Sequence, residues 1–164
     1  MEKQNFYDLN FDHLKNFLTS KVEIDSTKAK MRAQQMFNAV YKKNIKSFDA
    51  LTTFSLELRE KIKKLISLEK PKIVDVQKSK DGTIKFLLEL KDKRNVETVL
   101  IPDKSQSRYT ICLSVSVGCY LSCEFCATAQ ISKNLVRNLT PGEIISQIIL
   151  SKDYIDDWST QKKI

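Results

Sequence analysis

Three of the four cysteines in this 164-residue chain fall in one short run, Cys119-Tyr120-Leu121-Ser122-Cys123-Glu124-Phe125-Cys126. Thiolate is a soft ligand that suits iron–sulfur clusters, zinc or Cu(I). Spacings of four and three let three sulfurs converge on one small object. Three thiolates also leave the fourth iron of a 4Fe–4S cube without a protein ligand, open to bind and activate a small molecule. Two other readings stand beside this one. The same spacings align residues on one helix face, and cysteine buries readily as a small hydrophobe; against that, Gly118, Ser122 and Glu124 make a poor core run. A structural zinc site wants four ligands, and the single histidine, His13, is far away in sequence. The fourth cysteine, Cys112, lies upstream in Thr110-Ile111-Cys112-Leu113-Ser114-Val115-Ser116-Val117. On an extended strand positions two apart share a face, so Cys112, Ser114 and Ser116 are expected to point together, into a reaction chamber or into a core.

The elements that must position these residues follow from pattern. Up to about residue 69 the periodicity is helical. Asn10 is a plausible N-cap for a helix with Phe11, Leu14, Phe17 and Leu18 inward. Ser26 is expected to cap a second helix carrying Ala29, Ala33, Met36, Phe37 and Val40. Phe48 and Leu51 mark a short turn, and Ser55 caps a third helix with Leu58, Ile62, Leu65 and Ile66. Lysines and arginines, among them Lys28, Lys30, Arg32, Lys42, Lys43, Lys46, Lys61, Lys63 and Lys64, interleave on the opposite faces. They are solvated faces, or contacts for phosphate.

Pro71 ends the helical pattern. A short run, Ile73, Val74 and Val76, leads to Lys80-Asp81-Gly82-Thr83, an Asp-Gly hairpin turn. Ile84, Phe86, Leu88 and Leu90 then alternate, and a third strand runs from Val96 to Ile101. These make an antiparallel meander over about 72–102, followed by a fourth strand over about 108–117 that ends at the cysteines. Active sites of (β/α) barrels form at the C-terminal ends of strands, so the placement suits a site. Thr140-Pro141-Gly142-Glu143 is a helix start, with Thr as N-cap, Pro at N1 and Glu completing a capping box. Ile144, Ile145, Ile148 and Ile149 give that helix an apolar face, and it is expected to fade by Tyr154.

Composition sets the broad class. Lys and Arg number 28 against 20 Asp and Glu, for a net charge of +8. Such a surface favours polyanions, nucleic acid first. The sequence contains no long apolar run and no secretory leader, so a cytoplasmic, reducing location is expected, one that keeps thiols unpaired.

The motif C-x-x-x-C-x-x-C, with an aromatic before the last cysteine, resembles the radical S-adenosylmethionine (SAM) superfamily. Its flanks are similar to the RlmN family of dual-specificity RNA methyltransferases: residues 110–119 before it, then Ala127-Thr128-Ala129-Gln130, Arg137-Asn138-Leu139-Thr140 and Glu143-Ile144-Ile145. Weaker resemblance extends almost to the N-terminus. The resemblance implies an α/β protein with an N-terminal helical RNA-binding domain (1–69), a β meander or linker (70–107) and the first strand and helix of a radical SAM partial (β/α) barrel (108–164). It implies methylation of adenine C2 in 23S rRNA, at the peptidyl transferase centre, and in tRNA next to the anticodon. A close relative that methylates C8 shares these motifs, and a non-catalytic RNA-binding remnant is the reading from a different class.

The same resemblance assigns roles. Cys119, Cys123 and Cys126 would hold one 4Fe–4S cluster, SAM would bind its open iron, and Phe125 would lie near the SAM adenine. Cys112 would resolve a covalent link between the RNA and a second, methyl-carrying cysteine. Glu97, in Val96-Glu97-Thr98-Val99-Leu100-Ile101-Pro102, is similar to the family's V-E-T-V-x-I-P segment and would accept a proton. Arg137 and Asn138 are candidates for phosphate or substrate contact. A flavodoxin-type reductant is the implied electron donor, and no membrane is involved. No cysteine follows Cys126, and the family's Gly-Glu-Pro strand is not found. The expectation is therefore a truncated product, a split gene or one half of a longer protein, inactive alone; in the split-gene case a separate chain supplies the missing half.

Overall fold

The structure is a computed structural model that describes residues 3–103, 105, 108–121, 123–126, 136–158 and 164. The flanking motif Ala127 to Gln130 lies outside the described residues. The chain divides into two compact units, Met1–Glu69 and Lys70–Ile164. Among the described residues no helix is long and apolar enough to cross a membrane.

The first unit is helical. Helix α1 (Phe11–Ser20) starts where the Asn10 side chain accepts a hydrogen bond from the His13 N–H, and α3 (Leu56–Leu65) starts on Ser55 in the same way. Helix α2 (Ser26–Tyr41) is capped one residue earlier than expected. The Asp25 carboxylate takes the Thr27 N–H at 2.9 Å, and Ser26 is already helical. Aspartate is the stronger choice there, since its charge also complements the helix dipole. The apolar stripes close on one core of Leu14, Leu18, Ala29, Ala33, Met36, Val40 and Ile62. Fully buried Phe6 packs on the rings of Tyr7, Phe37, Tyr41 and Phe48. Burial, helped by Asp8, pushes the Tyr41 phenol up to about 12. A parallel pairing of strands β1 (Gln4–Asn5) and β2 (Ile66–Ser67) ties the start of the unit to its end.

The second unit is built on a four-stranded antiparallel sheet: β3 (Lys72–Lys78), β4 (Ile84–Glu89), β5 (Asn95–Asp103) and β6 (Arg108–Leu113), adjacent in sequence order. The Asp-Gly turn joins β3 to β4, with Asp81 accepting from the Thr83 N–H and Gly82 at φ +96°. A Cβ at Gly82 would come within 3.3 Å of the Pro102 ring, a second reason for glycine there. Pro102 is tolerated inside β5 because it lies beyond the last pairing with β4, Ile84 with Leu100.

Cross-strand register gives the sheet two unlike faces. On one, Ile84, Phe86, Leu88, Val96, Thr98 and Leu100 are buried, joined by Tyr109 and Ile111. Helix α4 (Pro141–Tyr154) covers this face through Ile144 and Leu150, and Tyr154 meets Phe86 edge-on at 4.9 Å. The helix begins as expected on a full Thr140–Glu143 capping box. Its buried positions differ from the expected isoleucine stripe: Gly142, Ser146, Gln147, Ile149 and Ser151 are inward, while Ile145 and Ile148 are only half-buried. The strand expected over 108–117 is broken as well. β6 stops at Leu113, and Ser116–Val117 form a separate strand, β7, paired with β8 (Arg137–Asn138).

Candidate functional site

The open face of the sheet carries the two residues given catalytic roles in the sequence reading. Val99 pairs with Cys112 across β5 and β6, so both side chains leave the sheet on the same side. Glu97, two residues before Val99, shares that side. Cys112 and Glu97 are therefore diagonal neighbours on one face, and Cys112 is exposed. Lys85, opposite Val99 on β4, places its ammonium 3.1 Å from Glu97 Oε1. The pair is largely solvated, with 39% and 55% of the two side chains exposed. Its geometric role, aligning the carboxylate along the sheet, outweighs its modest energy.

The cysteine loop follows β7, beyond the end of this sheet. Val117 is buried, and Gly118 follows at φ +70°, a left-handed backbone that glycine adopts without strain. Cys119, Cys123 and Cys126 are each half-buried, and none of the four cysteines is in a disulfide. The Cys126 N–H donates to the Cys123 carbonyl at 3.0 Å, which folds the C-x-x-C end into a turn. The alternative of three core cysteines on a buried helix does not hold, since these residues form a partly exposed loop. Phe125, 92% exposed, and Tyr120 and Leu121 lie open beside the thiols, so Phe125 is no core aromatic. Among the described residues no three His, Cys, Asp or Glu side chains stand close enough to hold a metal ion; the three thiols share a loop without converging. The donor set itself fits a cluster: three soft sulfurs, unoxidised, partly shielded and on one short loop.

Arg137 has a different task from the substrate contact considered for it. Its Nε donates to Asp92 at 2.8 Å, and its two terminal nitrogens each donate to one Glu143 oxygen at 2.8 Å. A bidentate clamp of this kind links the β4–β5 turn to the N-terminus of α4. The Arg137 hydrogen bond holds the Asp92 carboxyl below the usual carboxylate range. Burial works against ionisation of Glu143, but Arg137 and the Thr140 N–H outweigh it, and its pKa also falls.

Sequence reasoning missed Gln147 and Thr98. Both are fully buried, and the Thr98 hydroxyl donates to Gln147 Oε1 at 2.7 Å. A signal was present in each case. Thr98 interrupts the inward series Val96, Leu100, and Gln147 interrupts a run of isoleucines; a polar residue at a core position calls for a partner.

The arrangement resembles a known class of enzyme. A radical SAM methyltransferase from Sphaerobacter thermophilus superposes with a TM-score of 0.77 and 31% identity, over 93% of this chain and 42% of that one. Residues 4–68 match the family described as the ribosomal RNA large subunit methyltransferase N-terminal domain. The dual-specificity RNA methyltransferase RlmN of Campylobacter fetus is 40% identical over 160 residues, which is 91% of this chain and 42% of the relative. For that of Novosphingobium aromaticivorans the identity is 41%, over 86% of this chain and 32% of the relative. The chain is thus similar to the RlmN family over most of its own length, and it spans about a third to two-fifths of the length of these curated relatives.

Proposed function

We propose that this chain carries the RNA-holding helical domain and the cluster-binding loop of a radical SAM methyltransferase acting on adenine C2 in 23S rRNA and tRNA. In this reading residues 1–69 hold RNA, 70–107 form the connecting sheet, and 108–164 begin a partial (β/α) barrel. Cys119, Cys123 and Cys126 would hold a 4Fe–4S cluster, and Phe125 would lie against SAM. With SAM bound, the cluster supplies the radical chemistry. The remaining work falls to the open face of the sheet. Its Cys112 thiol is accessible for attack on a covalent link, and the Glu97 carboxylate, aligned by Lys85, is available to take a proton. The target base has to leave its stack to reach such a face, at least cost in looped RNA.

The observation that carries the reading is that Cys112 and Glu97 share one open face of the sheet, while the chain passes from β6 through β7 into the three-cysteine loop. Anaerobic reconstitution with iron and sulfide tests it. About four irons per chain and brown absorbance are expected, falling to background when Cys119, Cys123 or Cys126 is replaced by alanine and unchanged in Cys112→Ala. Iron content indifferent to the three loop substitutions, or stoichiometric zinc instead, overturns it.

A further inference from the structure

Strand β6 ends at Leu113, yet the backbone of the next residue is not left to solvent. The Ser114 N–H donates to Gln147 Oε1 at 3.0 Å, and Gln147 Nε2 donates to the Ser114 carbonyl at 2.9 Å. A side-chain amide from α4 thus pairs with both the N–H and the C=O of Ser114, as a neighbouring strand would. The other two valences of the amide are also filled. Oε1 accepts the Thr98 hydroxyl at 2.7 Å, and Nε2 reaches the Glu143 carbonyl at 3.3 Å. Two donors and two acceptors are all an amide has. A flipped amide would set Nε2 against the Ser114 N–H, so its orientation is fixed by its partners. Ser114 closes the circle, with its hydroxyl donating to the Glu97 carbonyl at 2.7 Å.

We infer that Gln147 is a positioning residue, whose amide stands in for a missing strand at Ser114 and so fixes where Cys112 sits relative to Glu97 and where the chain leaves the sheet toward β7 and the cysteine loop. The functional meaning of that placement rests on the reading above, while the placement itself does not. Other side chains of similar size lack the complement. Methionine offers neither donor nor comparable acceptor. Glutamate keeps accepting oxygens but donates nothing when ionised and a single hydrogen bond when protonated, so it cannot serve the Ser114 and Glu143 carbonyls together. Both donors and acceptors matter here because a buried peptide group left unpaired costs more than a mean hydrogen bond contributes.

Amide hydrogen exchange and thiol alkylation test this on the full chain. In Gln147→Met, the Ser114 amide is expected to exchange about tenfold faster, while the mid-sheet amide of Leu100 keeps its protection. With Cys119, Cys123 and Cys126 replaced by alanine, Cys112 is the one thiol left, and its alkylation rate by iodoacetamide is expected to shift roughly threefold in Gln147→Met as its surroundings on the sheet change; an unchanged rate overturns the placement of Cys112 by Gln147. Unchanged Ser114 exchange, or faster exchange at Ser114 and Leu100 alike, overturns the inference, since a merely structural glutamine would loosen the whole sheet. Should Gln147→Met be too unstable to study, Thr98→Val keeps the shape and removes one leg of the network. Faster Ser114 exchange there supports the inference, and none overturns it. These readouts need no metal, so a failure of cluster binding and a failure of the positioning role are distinguishable.

Discussion

Two phenylalanines of this chain illustrate how burial separates packing from function. Phe86 is 1% exposed, in the centre of the sheet, and touches Tyr154 edge-on. Phe86→Ala removes a ring from a closed core, and we expect it to destabilise the protein by about 3–5 kcal/mol, measured by urea unfolding. Phe125 is 92% exposed beside the thiols. Phe125→Ala is expected to shift stability by no more than about 0.5 kcal/mol in the same experiment. A large ring held in water contributes little to stability, which is consistent with a partner that arrives later. A loss at Phe125 comparable to that at Phe86 would return it to the core.

At the scale of elements, the join between sheet and helix α4 is polar as well as apolar. Gln147 meets the end of β6, and Arg137 ties the β4–β5 turn to the first turn of α4. The Arg137 cluster predicts a pH dependence. Asp92 and Glu143 both have folded-state pKa values below their ordinary ones. Their contribution is therefore present above the ordinary carboxylate range and lost as pH falls through the lower, folded-state values. Arg137→Met should cost about 1 kcal/mol at neutral pH, the partners being partly solvated. The gap between the two proteins should begin to close below about pH 4 in parallel thermal melts. A gap that widens on acidification would show that the clamp is not the source.

At the scale of the molecule, net charge does not say which cations are available to a partner. In the first unit Lys61 pairs with Glu23, Lys63 with Asp49 and Glu60, and Arg32 donates to Gln35 and lies over the Phe54 ring. Lys30, Lys42, Lys43 and Lys64 are exposed and have no ion-pair partner among the described residues. If the helical domain holds RNA, these are the phosphate contacts to expect. Each lysine-to-alanine change at a true contact should lower the slope of log K against log salt by about 0.7 in RNA titrations with the full chain. Equal slopes for the wild-type chain and a quadruple variant would remove this surface from consideration.

Much was legible in the sequence because it depends on neighbours a few residues apart. The Thr140–Glu143 box, the Asn10 cap, the Asp-Gly turn and the alternation of Ile84, Phe86 and Leu88 are local signals, and the structure has the elements they indicate. The cysteine spacing and its flanks were enough to point to the family whose members the chain resembles. What the sequence could not decide were contacts between distant segments. Thr98 meets Gln147 across 49 positions and Ser114 meets Glu97 across 17. Register, set by the packing of a whole sheet, put Cys112 and Glu97 on one face, sent Arg137 to two carboxylates and let a helix side chain end a strand. No periodicity carries that information, because it arises only when separate elements compete for the same buried hydrogen-bonding groups.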